Sequence, residues 1–244
     1  MVSAVEIEHL YKDFTLDHTY SIKDSFVNLF RKNKNQKRKF RALDDINLMV
    51  EQGESIGLVG LNGSGKSTLL KCISGVQMPD MGSLRVRGSI AGLIEVGAGF
   101  HPDLTGEENV FLNGAILGMS KKKIEDNYDD IVKFSEVEDF MQTNVRYYSS
   151  GMFLRLAFSV AVYSDPDVFL VDEILSVGDA PFRKKCMKRI HELKEDGRTL
   201  IIVSHSQSDI KEVTKRCVWL HKGKVMQSGE TVSVLDAMNA YTKN

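Results

Sequence analysis

The chain has 244 residues, of which 42% are hydrophobic and 27% charged, and its formal net charge is −1. These values are ordinary for a globular protein with a substantial core, and the near-neutral charge predicts no general affinity for nucleic acid. No stretch approaches the roughly 20 apolar residues that span a bilayer. The cysteines at 72, 186 and 217 have no pair or metal-ligand spacing, which indicates reduced thiols in a cytosolic protein.

The first 60 residues predict strands separated by an insertion. Alternation of apolar and polar residues predicts a half-buried strand at Val5–Leu10. Residues 21–31 place apolar side chains on one face of a short helix, and a basic run without acids follows at 31–41. This insertion, about residues 15–41, is interpreted as a segment at a lipid surface, at a pyrophosphate-linked glycan or at a partner. The alternative is a solvated loop beside a helix that packs on its own domain.

The rest of the chain alternates predicted strands and helices. Strands are predicted at Ile46–Val50, Ser55–Val59, Val168–Val171 and Leu200–Val203, with a hairpin of Cys217–Leu220 and Lys224–Gln227. Helices are predicted at Ser67–Ser74, Val110–Met119, Lys121–Phe134, Gly151–Tyr163 and Phe182–Glu195. The alternation predicts one α/β domain over residues 1–244, with a mostly parallel core sheet, an antiparallel β part and a helical subdomain at about 98–165.

A glycine-rich segment after the strand at Ser55–Val59 fits the pattern G-x-x-x-x-G-K-[ST]. Its glycines allow the backbone to curl around phosphate oxygens, and its N–H groups then face the phosphates. Lys66 is expected to reach the β- and γ-phosphates in catalysis, and the Ser67 hydroxyl to bind Mg²⁺. The predicted nucleotide-binding residues are Gly60, Leu61, Asn62, Gly63, Ser64, Gly65, Lys66, Ser67 and Thr68. The alternative is a chance glycine turn before a helix.

Two adjacent acids, Asp172 and Glu173, end the buried strand at Val168–Val171. An aspartate at such a strand end can hold Mg²⁺ directly or through water. The neighbouring glutamate can polarise a water for in-line attack on the γ-phosphate, so we predict Glu173 to be catalytic. By themselves, adjacent acids at a strand end are often only solvated.

The segment from Tyr148 to Met152 opens a predicted helix and resembles the signature of the ATP-binding cassette family. Ser149 and Gly151 match the serine and second glycine of the family's LSGGQ sequence, whereas Ser150 and Met152 depart from it. The resemblance implies that Ser149, Ser150 and Gly151 cap the γ-phosphate bound by a second copy. A plain helix N-cap by either serine is compatible with that role.

Other family elements have counterparts in this sequence. Ser176–Asp179 resembles the D-loop at the dimer interface, and the resemblance implies that Asp179 helps to bind the nucleotide. His205 resembles the switch histidine that contacts the γ-phosphate in catalysis. Phe14 stands where the family has an aromatic residue that stacks on adenine, and Tyr11 is a less favoured substitute. Glu95 occupies the place of the Q-loop glutamine, where a carboxylate could still bind Mg²⁺ through water and could slow resting hydrolysis.

Within this family the chain is most similar to ATPases that export O-antigen, wall teichoic acid and similar glycans. The resemblance rests on GAGFHPDLTGEENVFLNG, YSSGM and VDEILSVGDAPFRKKC. It implies a motor subunit with ATP and Mg²⁺, a second copy of itself, two copies of a membrane permease, and a lipid-linked glycan carried by that permease. The expected location is the cytoplasmic face of the inner or plasma membrane, with no nucleic acid as partner and no carbohydrate-binding domain after the cassette.

Two other functions remain open. The first is the motor of a transporter for a small molecule or another lipid. The second is a soluble regulatory or DNA-repair ATPase, which usually carries long coiled coils or tandem cassettes that this sequence lacks. In the favoured mechanism, two copies sandwich two Mg·ATP between Lys66 of one and Ser149 and Gly151 of the other. Closure of this dimer is expected to pull on a transmembrane partner docked in a groove near residues 95–111.

Overall fold

The computed structural model describes residues 2–16, 38–92, 99–172, 179–204 and 206–242. The strands are β1 (Ser3–Leu16), β2 (Arg38–Glu51), β3 (Ser55–Val59), β4 (Met81–Val86), β5 (Ile90–Gly92), β6 (Val168–Val171), β7 (Thr199–Val203), β8 (Arg216–His221) and β9 (Lys224–Glu230). The helices are α1 (Lys66–Ile73), α2 (Gly106–Ile116), α3 (Lys121–Ser135), α4 (Ser150–Tyr163), α5 (Ala180–Glu195), α6 (Gln207–Val213) and α7 (Thr231–Thr242). Short 3₁₀ turns lie at Glu138–Phe140 and Val145–Tyr147.

The strands of the described chain form two sheets. One has three antiparallel strands in the order β2-β1-β4, and the other has six in the order β5-β6-β7-β3-β8-β9. The six-stranded sheet is parallel except for β9, which forms an antiparallel hairpin with β8. The α/β class, the mostly parallel core sheet and the antiparallel part are therefore confirmed.

The central strands of the large sheet are buried on both faces, and their side chains alternate between two hydrophobic clusters. Phe169 and Val171 pack with α5 on one face, whereas Val168 and Leu170 pack with α1 and the small sheet on the other. This division follows from the period of two along a strand, because successive side chains point to opposite faces. Every residue of β3, β6 and β7 is buried, which explains their continuous apolar sequences.

Helices α2, α3 and α4 enclose a third hydrophobic cluster that includes Val110, Ile131 and Leu156. Thr105 starts α2 with a capping box, in which its hydroxyl accepts the Glu108 N–H and Glu108 accepts the Thr105 N–H. Such reciprocal bonds satisfy donors that a helix start leaves without partners. Because of this third cluster, the three helices have a hydrophobic core of their own beside the large sheet.

Apart from the helix at 21–31, the predicted elements are present, and several others were missed. Strands β4 and β5 and helices α6 and α7 lacked a clear pattern in the sequence. The limits of the insertion need a correction, because β1 extends to Leu16 and β2 begins at Arg38. The basic side chains of Lys39 and Arg41 thus belong to a strand. The predicted helix at 21–31 and the basic residues before 38 lie outside the described residues, as does Glu95.

Among the helices of the described residues, none combines the length and the apolar character needed to cross a membrane. The three cysteines are buried free thiols, as expected.

Candidate nucleotide-binding site

The phosphate-binding loop lies between β3, the third strand from one side of the large sheet, and α1. Strand β3 pairs in parallel with both β7 and β8, so the loop leaves the sheet at the carboxyl edge of a flanked strand. Ligands of open α/β sheets bind at this edge. Gly65 is the N-cap of α1 and supplies no side-chain bond, so no capping side chain stands between the start of the helix and a bound phosphate.

The loop glycines differ in what their surroundings allow. A Cβ on Gly60 would lie 2.2 Å from the Leu220 carbonyl oxygen, and one on Gly65 would lie 2.9 Å from the Ala42 carbonyl oxygen. Both residues also have positive φ angles, 151° and 107°, which side chains disfavour. Gly63 has a φ of 76° but open space around it. Gly60 and Gly65 are therefore required by close backbone packing, and Gly63 by its backbone conformation.

Lys66 is held inside the loop. Only 6% of the residue is exposed, and its Nζ donates hydrogen bonds to the carbonyl oxygens of Gly60 at 2.8 Å and Leu61 at 3.2 Å. A buried ammonium is unfavourable unless oxygen atoms compensate its charge. The loop carbonyls do so here, and phosphate oxygens would compensate the charge more completely.

A cavity of about 370 Å³ opens at this loop and is lined by residues 62–68 together with Phe40 and Ala42. Phe40 is 51% exposed, so its ring is accessible. Phe14 lies directly opposite Phe40 in the β1–β2 ladder and therefore shares its face, although it does not line this cavity. The sequence prediction named Phe14 and missed Phe40, because only the pairing of β1 with β2 brings the second ring to the loop.

Tyr11, the less favoured aromatic, is occupied by other contacts. The guanidinium carbon of Arg41 lies 5.1 Å from its ring centre. Arg41 also forms an ion pair with Asp13, 2.8 Å from Nε to Oδ1, and this hydrogen bond is the main reason that the Asp13 pKa is lowered. These contacts favour a structural role for Tyr11.

The N-terminus of α4 is exposed and has one local side-chain cap. Ser149 is its N-cap and accepts the Met152 N–H at 3.2 Å, which confirms the predicted cap. Both Ser149 and Ser150 are exposed, and a Cβ on Gly151 would meet only the Ser149 hydroxyl, at 3.8 Å. The preceding Tyr148 is an anchor, since its hydroxyl donates to the Phe140 carbonyl at 2.8 Å and burial raises its pKa.

The predicted magnesium ligands lie in two places. Ser67 is on the first turn of α1, and Asp172 directly follows β6, two positions from β3 in the sheet. No group of three or more His, Cys, Asp or Glu side chains is arranged as a metal site within the described residues. A hydroxyl and a carboxylate are hard oxygen ligands that suit Mg²⁺, whose other ligands are commonly water and phosphate. The chemistry of these residues therefore fits the ion.

Several predicted site residues lie outside the described residues: Glu95, Glu173, Ser176 and His205. Their roles stay predictions. Asp179 is described, and it is the N-cap of α5, where it accepts the Phe182 N–H at 3.1 Å and a hydrogen bond from Arg155 at 3.0 Å. Sequence reasoning assigned Asp179 to the nucleotide and missed Arg155.

A second cavity, of about 490 Å³, lies at the start of α2. Its walls are Thr105, Glu107, Glu108, Phe111 and Gln142. Glu107 accepts a hydrogen bond from Gln142 at 2.6 Å, and Glu108 accepts the Thr105 N–H at 2.8 Å. The cavity thus combines acidic side chains with one aromatic ring, within the region where a membrane partner was expected.

The chain matches one protein-family model and is similar in sequence to several named proteins. Residues 43–176 match the family model described as ABC transporter. The chain is 48% identical over 196 residues to ABC transporter protein AbcA of Aeromonas salmonicida, covering 80% of this chain and 64% of that protein. It is 36% identical over 239 residues to O-antigen export system ATP-binding protein RfbB of Klebsiella pneumoniae, covering 97% of both. It is 40% identical over 239 residues to teichoic acids export ATP-binding protein TagH of Bacillus anthracis, covering 98% of this chain and 43% of TagH.

The chain therefore spans less than two thirds of AbcA and of TagH, and nearly all of this RfbB. A similar solved structure is the dimeric post-hydrolysis state of the ATP-binding cassette MJ0796 bound to ADP and Pi. Its TM-score is 0.75 at 22% identity, over 93% of this chain and 98% of that one. This likeness shows the fold.

Proposed function

The chain belongs to the ABC transporter family and is an ATPase cassette, and from that premise we propose that it powers the export of a lipid-linked polysaccharide across a cytoplasmic membrane. The observation that carries the proposal is the 36% identity, over 97% of both chains, to a protein named for O-antigen export. The 40% identity to a protein named for teichoic acid export supports the same class of cargo.

The proposed hydrolytic site is shared between two copies of the chain. The phosphate loop of one copy, with Lys66 at its centre, binds the triphosphate. The exposed α4 terminus of the other copy, with Ser149 and Gly151, closes over the γ-phosphate, where its N–H groups and helix dipole attract negative charge. The exposure of Ser149 supports this role, as does Gly151, where a Cβ would meet only the Ser149 hydroxyl at 3.8 Å.

Within that sandwich, Glu173 accepts the proton of the attacking water, and His205 donates a hydrogen bond to the γ-phosphate. Ser67 and Asp172, with Glu95 through water, would hold Mg²⁺, which supplies positive charge to the phosphate oxygens when bound. The adenine ring stacks on the aromatic face formed by Phe40 and Phe14.

A permease subunit docks at the cavity lined by Glu107, Glu108 and Phe111. The acidic side chains and the ring predict a docking segment with basic and apolar residues. Replacement of Glu107 by Lys should therefore reduce the amount of permease that co-purifies with the chain. The matched control is Glu125→Lys on α3, at a glutamate whose side chain is 53% exposed and forms an ion pair with Lys121 of the same helix. Equal losses in the two variants would contradict this docking site.

The cargo is tested by depleting the protein in its own host and measuring polyprenyl-linked glycans of the inner membrane by mass spectrometry. The proposal expects one lipid-linked polymer to accumulate, and re-expression of the wild-type chain to clear it. Re-expression of a Lys66→Ala variant should leave the polymer in place, since that variant retains the chain but lacks the phosphate-binding ammonium. If the glycans stay unchanged after depletion, the proposal is wrong about the cargo, which would then be a small molecule or another lipid.

A further inference from the structure

Three helices meet at the guanidinium of Arg155, which lies on α4 one turn after Gly151. Its Nη1 donates to Glu136 Oε2 at 2.5 Å, and its Nη2 donates to Asp179 Oδ1 at 3.0 Å. Glu136 directly follows α3, and Asp179 is the N-cap of α5. We call these residues, Glu136, Arg155 and Asp179, the helix joint.

The helix joint rests on an aromatic base. The side chain of Arg155 is 20% exposed, and its guanidinium carbon lies 4.7 Å from the centre of the Phe182 ring. Lys185 of α5 adds a second tie, with Nζ 3.1 Å from Glu136 Oε1 and 2.9 Å from the Phe134 carbonyl oxygen. A planar guanidinium that stacks on a ring and donates to two carboxylates has little rotational freedom, which a lysine in its place would not reproduce.

The helix joint connects two parts of the proposed dimer interface. Ser149 and Gly151 are on the same helix as Arg155, so a shift of that helix moves the phosphate cap. Asp179 follows the undescribed residues 173–178, which include Glu173 and most of the predicted D-loop. Because Arg155 belongs to α4 and bonds to Asp179, it ties the position of the α4 terminus to the end of that segment.

We propose that Arg155 is a positioning residue for ATP hydrolysis, which holds the phosphate-capping end of α4 in register with Asp179 at the start of α5. The inference rests on the proposed ATP-sandwich dimer. It acts on the hydrolytic step, because both connected parts meet the nucleotide of the opposite copy and neither belongs to the phosphate loop that binds ATP first. A displacement of about 1 Å in such groups is enough to lower a catalytic rate by roughly 10²-fold.

A purely structural role has a different consequence. Exposed ion pairs contribute little to stability, and a stacked arginine contributes mainly by covering its ring. Arg189 of α5 is a matched control, since it also stacks on a ring, with its guanidinium carbon 4.9 Å from the Tyr163 centre, and pairs with a glutamate at 2.9 Å. Its side chain is 22% exposed, close to the 20% of Arg155, and within the described residues it forms no hydrogen bond to Asp179.

The experiment compares steady-state ATPase kinetics of the wild-type chain with Arg155→Ala, Arg155→Lys, Asp179→Asn, the double variant Arg155→Ala/Asp179→Asn and the control Arg189→Ala. Asp179→Asn removes the charge that Arg155 contacts and keeps a good N-cap, because asparagine caps helices as well as aspartate. Urea unfolding of every variant separates loss of the fold from loss of positioning.

We expect Arg155→Ala to lower kcat about tenfold with KM for ATP within about twofold, and Arg155→Lys to recover only part of that loss. Arg189→Ala should keep the wild-type kcat. Because the two partners act as one unit, the double variant should be no slower than Arg155→Ala alone.

Equal kcat losses in Arg155→Ala and Arg189→Ala, or multiplied losses in the double variant, would overturn the inference. A loss of kcat that follows the urea midpoint across the series would also overturn it. An inactive wild-type chain, or a wild-type chain whose rate does not rise with dimer formation, would instead refute the proposed sandwich. The two failures are therefore distinguishable.

Discussion

The phosphate loop and the N-terminus of α4 would bind the same nucleotide from opposite sides, yet they are built in different ways. The loop is locked by its own chain: Gly223 donates its N–H to the Ser64 carbonyl at 2.9 Å, and the Leu220 carbonyl leaves no room for a Cβ on Gly60. Lys66 is buried within it. The α4 terminus has exposed serines and one local cap from Ser149.

The difference indicates which half of the site is complete before a partner arrives. A loop locked by surrounding strands can receive a triphosphate in a single copy, because little ordering remains to oppose binding. An exposed helix terminus gains a ligand only when another copy presents one. Changes in the loop should therefore impair nucleotide binding or the fold, whereas changes at α4 should impair turnover.

The largest effect is expected from Lys66→Ala, which removes the buried ammonium from the loop. ATPase activity should fall about 10²–10³-fold, since a lost positive group at a transferring phosphate carries a penalty of this size. Calorimetry should also show weaker ATP binding by the isolated chain. Lys188→Ala, at a side chain that is 80% exposed, is the control. If the Lys66→Ala variant keeps more than a tenth of the wild-type ATPase rate, the loop is not the half of the site that binds the triphosphate.

Replacement of Gly60 by Ala should destabilise the whole fold, because the new Cβ would lie 2.2 Å from the Leu220 carbonyl oxygen. We expect the free energy of unfolding to fall by about 3 kcal/mol, against about 1 kcal/mol for Gly63→Ala, where only the backbone conformation is unfavourable. Urea denaturation monitored by circular dichroism measures both. If the two variants unfold at the same midpoint, the loop is not locked in the way described.

Ser149→Ala should lower kcat about tenfold while ATP binding by the isolated chain stays the same, because the hydroxyl serves the opposite copy's nucleotide. Loss of the cap should also reduce stability by about 1 kcal/mol. Ser120→Ala is a matched control, since Ser120 caps α3 with the same 3.2 Å bond to the N–H three residues on. It should show the stability loss alone. If kcat falls to a similar extent in both variants, the α4 terminus has no special role in turnover that sets it apart from the phosphate loop.

The smallest effect is expected from the aromatic residues near the loop. Phe40→Ala should raise KM for ATP about fivefold, since stacking of one base is worth on the order of 1 kcal/mol or more. Phe14→Ala should raise KM less, because Phe14 shares the face of Phe40 without lining the cavity. If Phe14→Ala raises KM for ATP more than Phe40→Ala does, Phe14 is the residue that stacks on adenine, as the sequence predicted, and Phe40 is only its neighbour.

Local patterns predicted much of this molecule. Strand β3, the phosphate loop and α1 follow from a buried apolar run, spaced glycines and a helical period, all within neighbouring residues. The cap by Ser149 is local in the same sense. Helix α7 was missed because only Thr231, Val234 and Leu235 of its twelve residues are buried, which leaves a weak apolar stripe.

Contacts between distant segments were not predictable in this way. Phe40 reaches the loop through a ladder that joins β1 to β2 across residues 17–37, and no periodicity records that pairing. The bond from Arg155 to Asp179 likewise joins residues 24 apart on different helices. The family resemblance supplied a role for Asp179, but not the arginine that holds it, because a motif names residues without their partners.

The position of β3 between β7 and β8 also affects how the nascent chain folds during synthesis. On the ribosome, the loop and α1 emerge well before the strands that flank β3 and before Gly223, which bonds to Ser64. At about 5–20 residues per second, the interval between Lys66 and Gly223 is roughly 10–30 s. Until Thr199 emerges, the apolar β3 has neither of its neighbours. The nascent chain therefore carries an unpaired apolar strand for much of its synthesis, and such exposed strands favour aggregation.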